Sequence, residues 1–129
     1  MSTKEKTILV VEDERPLLSA IKNKLERSGF TVVTAESTAQ ALEQLKEVGK
    51  VNAIWIDHYL LGKESGLDLV AKCKQKDSWC KNIPIFAVSN TASASNTHAY
   101  QKLGVTKYYV KAEKRLDEII AEINEALKK

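Results

Sequence analysis

Apolar, β-branched runs alternate along this chain with stretches whose apolar residues recur every three or four positions. Thr7-Ile8-Leu9-Val10-Val11 is the first run, and Ala53-Ile54-Trp55-Ile56 is the most continuous. Short unbroken runs of this kind fit strands covered on both faces, as in a parallel sheet. After the first run, Pro16 sits where an opening helical turn tolerates it. Leu17, Leu18, Ile21 and Leu25 then predict a helix closed by Gly29. Phe30-Thr31-Val32-Val33-Thr34 predicts a second strand. Ser37, with Gln40 three residues on, has the pattern of a capping box. It opens a second helix through Ala41, Leu42, Leu45 and Val48 to Gly49. The third strand runs into Asp57. A loop through Gly62 and Gly66 leads to a third helix carrying Leu67, Leu69, Val70 and Cys73. Ile83-Pro84-Ile85-Phe86-Ala87-Val88 predicts a fourth strand, with proline near its start, where a missing N–H costs least. The segment from Asn90 to Thr97 is polar and small, and a weak helix emerges from it through His98, Tyr100 and Leu103 to Gly104. Lys107-Tyr108-Tyr109-Val110 predicts a fifth strand. Leu116, Ile119, Ile120, Ile123 and Leu127 mark one face of a final amphipathic helix.

Five strands alternating with five helices imply an α/β fold, a doubly wound parallel sheet covered on both faces by right-handed crossovers. At 129 residues the expectation is a single domain over 1–129, with its core at about 7–127. Composition adds little: 43% hydrophobic and 29% charged residues are ordinary for a globular protein. The formal net charge of +3 is spread along the chain, without the basic stripe of a nucleic-acid binder. No apolar run approaches a membrane span or the core of a signal peptide. Cys73 and Cys80 lack C-x-x-C spacing and read as free thiols. A soluble cytoplasmic protein, with no direct nucleic-acid or membrane partner, is expected.

Chemistry gathers at the strand ends. Glu12 and Asp13 end the first strand and Asp57 the third. In a doubly wound sheet these strands are neighbours, and ligands bind outside the carboxyl ends of the strands. Two like charges ~4 Å apart repel by about 4 kcal/mol at an effective dielectric of ~20, so such a cluster takes up a proton or a cation. Carboxylate oxygens suit Mg²⁺. Ser89 and Lys111 end strands four and five. With the metal, they can neutralise and hydrogen-bond a phosphoryl group, leaving Asp57 as the nucleophile. No Gly-rich phosphate loop accompanies them, which argues against a bound nucleotide. Each residue has a plainer reading taken alone. Glu12 and Asp13 can favour a helix N-terminus, Asp57 and Ser89 can cap or turn, and Lys111 can be a solvated charge. The coincidence of four strand ends outweighs these readings.

The sequence resembles the response-regulator receiver domains of two-component signalling, from about Thr7 to Leu127. The resemblance rests on Ile8-Leu9-Val10-Val11-Glu12-Asp13-Glu14, Trp55-Ile56-Asp57, Val88-Ser89 and Gly104-Val105-Thr106-Lys107-Tyr108-Tyr109-Val110-Lys111. It implies a flavodoxin-like strand order 2-1-3-4-5, and it implies a signalling phosphoacceptor rather than an enzyme. Asp57 would take a phosphoryl group from a histidine kinase or histidine phosphotransfer protein. Asp13 would ligate Mg²⁺ directly and Glu12 through water, and the backbone carbonyl of Tyr59 would be the third protein ligand. Ser89 would be the switch hydroxyl, Lys111 the lysine bridging phosphoryl and carboxylate, and Tyr108 the aromatic that changes rotamer. An output protein or domain, and dimerisation on phosphorylation, belong to the same implication. Tyr59 and Thr91 would flank the route of a hydrolytic water, giving slow to moderate loss of phosphate.

Three departures stand out. Ala112 replaces the usual proline after the lysine, leaving a cis or a trans bond open. Asn90 stands where alanine or glycine is common, and Leu60-Leu61-Gly62 replaces the usual Met-Pro. Two rivals follow: a receiver-like adaptor that takes no phosphate, and an aspartate-nucleophile phosphatase. The phosphatase usually carries a second acid two residues after its nucleophile, where Tyr59 stands.

Overall fold

The computed structural model describes residues 6–60, 62, 64–75, 78, 80–90 and 94–128. Thr91 and Leu61, named above, lie outside them. The elements in chain order are β1 (Thr7–Val11), α1 (Arg15–Arg27), β2 (Thr31–Ala35), α2 (Thr38–Val48) and β3 (Ala53–Ile56), followed by α3 (Gly66–Cys73), β4 (Ile85–Ser89), α4 (Ala94–Leu103), β5 (Lys107–Val110) and α5 (Leu116–Ala126). All strand pairs are parallel, in the order β2-β1-β3-β4-β5. This is the doubly wound flavodoxin-like sheet that the alternation and the resemblance led us to expect. Among the described residues, no helix is long and apolar enough to cross a membrane.

Alternation along each strand divides the core between the two faces. Leu9, Val11, Ile54, Ile56 and Ala87 face one way, onto residues of α2, α3 and α4. Ile8, Val10, Trp55, Phe86 and Val88 face the other way, onto residues of α1 and α5. Among the described residues, Trp55 and Tyr100 are the largest fully buried side chains, one on each side. Cys73 and Cys80 are both buried and free; the Cys80 thiol points at the Cys73 carbonyl oxygen, 3.8 Å away.

Two strand starts and one helix cap differ from the sequence reading, each for a local reason. Phe30 precedes β2, because its amide closes the end of α1 on the Leu25 carbonyl at 3.1 Å while Gly29 turns the chain at φ 100°. Its ring stays buried and gives the apolar signal. The fourth strand starts at Ile85, since the Ile83 amide donates to Cys80 in a turn and Pro84 has no amide proton to enter the ladder. The capping box at α2 is half formed. Ser37 Oγ accepts from the Gln40 amide at 3.1 Å, whereas Gln40 Oε1 accepts from the Glu36 amide rather than that of Ser37.

Candidate functional site

The register of the sheet sets the site. Val11 pairs with Ile56, and the Asp57 amide donates to the Val11 carbonyl at 3.0 Å, so the residues after β1 and β3 emerge side by side. One ligand oxygen from each of Glu12, Asp13 and Asp57 lies within 4.8 Å of the others. Glu12 is 1% exposed and Asp57 6%, whereas Asp13 is half-buried. Two buried carboxylates need compensation, and Lys111 supplies it. Its Nζ donates to Glu12 Oε1 at 3.1 Å and to Asp57 Oδ2 at 3.3 Å. With 14% of its side chain exposed, Lys111 is not a solvated strand-end charge.

Protonation follows from this packing. Burial, with the Asp57 charge adding to it, raises Glu12 to about 7 against the opposing pull of Lys111. Burial works to lower the Lys111 ammonium, but the charges of Asp57 and Glu12 more than offset it and hold it above its ordinary value. Replacing Lys111 with methionine removes the pull on Glu12. Its titration midpoint, read from the carboxyl carbon shift, is therefore expected to rise above about 7. A midpoint at or below the wild-type value would show that Lys111 does not act on Glu12.

The plainer reading of the acidic pair holds in part, since Glu12 Oε2 accepts from the Glu14 amide at the start of α1, at 3.3 Å. Ser89 is the last residue of β4 and fully buried. Its carbonyl accepts from the Lys111 amide at 2.8 Å, which joins the two strand ends. The Ser89 side chain is hydrogen-bonded to the Tyr108 hydroxyl. Burial raises that phenol, and the bond from Ser89 works against the rise. No cis peptide occurs among the described residues, so the link from Lys111 to Ala112 is trans. Lys111 reaches both carboxylates with alanine after it.

The Tyr59 ring is 60% exposed and stands edge-on to His58, 4.7 Å between centroids. Three residues that the sequence did not single out complete the surroundings. The His58 amide donates to Asp57 Oδ1 at 2.7 Å, and His58 Nδ1 shares a hydrogen bond with the Tyr100 hydroxyl at 2.8 Å. The Gly66 amide donates to the His58 carbonyl at 2.8 Å. A Cβ on Gly66 would overlap the Asp57 carbonyl oxygen and stand 2.9 Å from the Tyr100 hydroxyl.

Fold and site together define a receiver domain of two-component signalling: the model of the response regulator receiver domain matches residues 8–124, and the chain belongs to that family. It is 33% identical over 105 residues to the chemotaxis protein CheY1 of Helicobacter pylori, covering 81% of this chain and 83% of that one. It is 32% identical over 106 residues to the phosphate regulon transcriptional regulatory protein PhoB of Pseudomonas aeruginosa, covering 82% of this chain but only 45% of PhoB. Among solved structures, the receiver domain of the Francisella response regulator 1452 superposes with a TM-score of 0.83 at 25% identity, covering 96% of this chain and 98% of that one. The chain thus spans most of a chemotaxis receiver and less than half of a transcriptional regulator.

Proposed function

We propose that this domain is a phosphoacceptor, taking a phosphoryl group onto Asp57 from a histidine kinase or histidine phosphotransfer protein and switching a surface read by an output protein or domain. The observation that carries the reading is the double contact of Lys111 with Asp57 and Glu12 at the edge of an all-oxygen acidic cluster. Three carboxylates within 4.8 Å, with no nitrogen or sulfur donor among them, fit a hard divalent cation such as Mg²⁺. Asp13, Asp57 and the backbone carbonyl of Tyr59 would hold it, with Glu12 acting through water. When bound, the ion neutralises charge on the phosphoryl oxygens. The residues of the chain do the remainder. Asp57 contributes a carboxylate oxygen that forms the new bond to phosphorus as the bond to the donor nitrogen breaks and its electron pair leaves with the imidazole. The carboxylate charge falls as the acyl phosphate forms, and Lys111 follows the charge onto a phosphoryl oxygen. Ser89 turns its hydroxyl to another, and Tyr108, already bonded to Ser89, moves with it.

The adaptor alternative drew on Ala112 and Asn90; as to the first, Lys111 stands 3.3 Å from Asp57 with alanine in place. The phosphatase alternative needs an acid where Tyr59 turns an exposed ring to solvent. Beryllofluoride with Mg²⁺, a phosphoryl mimic, is expected to shift the amide resonances of His58, Ser89 and Lys111 in wild type. An unchanged spectrum at saturating reagent would support the adaptor instead.

A further inference from the structure

Tyr100 occupies a place that the phosphoacceptor chemistry above does not use. It is a large, wholly buried side chain with a hydroxyl, carried by α4, and its ring lies near two others. The centroid of His58 is 5.7 Å away and that of Tyr108 5.4 Å. Its hydroxyl meets His58 Nδ1 at 2.8 Å. Burial drives this phenol well above its ordinary range, so it remains a neutral O–H. The contacts form a chain: Asp57 to the His58 amide, the His58 ring to Tyr100, Tyr100 to Tyr108, and Tyr108 to Ser89 at the other side of the same site. Gly66 makes room for it, because any side chain there would press on both the Asp57 carbonyl and the Tyr100 hydroxyl.

We propose that Tyr100 is a positioning residue of the phosphoacceptor site, holding the segment 57–59 to helix α4 through His58 and passing its placement to Tyr108 and Ser89. The inference rests on the reading of Asp57 as the phosphoacceptor. Its consequence is that site occupancy reaches α4 by two routes, from Ser89 through Tyr108 and from His58 through Tyr100. By linkage, what moves α4 also acts back on the site. A tyrosine that only filled the core would need its ring and not its hydroxyl, so Tyr100→Phe separates the two roles. Asp57, Lys111 and the acidic cluster have no direct bond to that hydroxyl among the contacts described above.

The test is titration of beryllofluoride with Mg²⁺ into wild type, Tyr100→Phe and the double variant with His58→Phe, followed by amide and tyrosine-ring resonances. Tyr100→Phe is expected to bind the mimic, with shift changes at Ser95–Leu103 smaller than in wild type while those at the Tyr108 ring, reached through Ser89, remain. The imidazole nitrogens of His58 are expected to shift in Tyr100→Phe before any reagent is added, which loss of packing alone would not produce. The double variant is expected to be no worse than its weaker parent, because both substitutions break one bond. A full response at α4 in Tyr100→Phe overturns the proposal. No response in wild type overturns the reading of Asp57 and this inference with it. Should Tyr100→Phe fail to fold, His58→Phe reads the same bond from its other end, and a full α4 response there overturns the proposal equally.

Discussion

Asp57→Asn is expected to take up no phosphoryl group from a small-molecule phosphodonor with Mg²⁺, whereas wild type gains the mass of one. A carboxamide has nearly the shape of the carboxylate but neither its charge nor its nucleophilicity, so the fold is expected to stand while the chemistry is lost. The substitution also has a sign that can be read independently. The Asp57 charge is one of the causes that raise Glu12, so without it Glu12 is expected to titrate below about 7. Intact-mass measurement and a carboxyl titration check the two halves. Equal uptake by both proteins would place the nucleophile elsewhere.

Gly66→Ala is expected to destabilise the domain by about 3 kcal/mol, the upper part of the usual range for overpacking. The new methyl group would meet backbone, the carbonyl oxygen of Asp57, which cannot swing aside as a side chain can. Relief requires moving the start of α3 or the loop after β3, and either breaks the bond from the Gly66 amide to the His58 carbonyl. Urea unfolding measures the loss. A transition superimposable on wild type would show that the loop has slack which the packing here does not reveal. Where Gly66→Ala remains folded, its phosphoryl uptake is expected to be slower than wild type, because the displaced carbonyl belongs to the nucleophile itself.

Much of this was legible in the sequence because parallel strands buried on both sides must be apolar throughout. A charge that ends such a run is then conspicuous. Thr7–Val11 and Ala53–Ile56 have the boundaries their residues announce, and Glu12, Asp13 and Asp57 stand together because those strands are neighbours. Edges were less clear. β2 is half-exposed along most of its length, so burial does little to fix its ends, and the apolar Phe30 drew its start one residue early. Pro84 blurred the start of β4 in the same way.

Two features were out of reach. The bond from His58 to Tyr100 joins residues 42 positions apart on a loop and a helix, and Tyr100 in a chain listing is one more apolar position in a weak helix. Gly66 looked like an ordinary loop glycine. Its requirement is for space beside the Asp57 carbonyl, which only the packed backbone shows. The inward turn of Lys111 is intermediate: its position at a strand end was visible, but a trans link to Ala112 had to be seen in the backbone.

The central claim is that Asp57 itself carries the phosphoryl group. Borohydride reduces an aspartyl phosphate to homoserine, leaving a permanent mark on the residue that was modified. Wild-type protein treated with phosphodonor and Mg²⁺, reduced and mapped by peptide mass, is expected to carry homoserine at position 57 and nowhere else. Reduction product at Glu12 or Asp13, or a phosphoryl group found on Ser89 or His58 with position 57 unmarked, would contradict it.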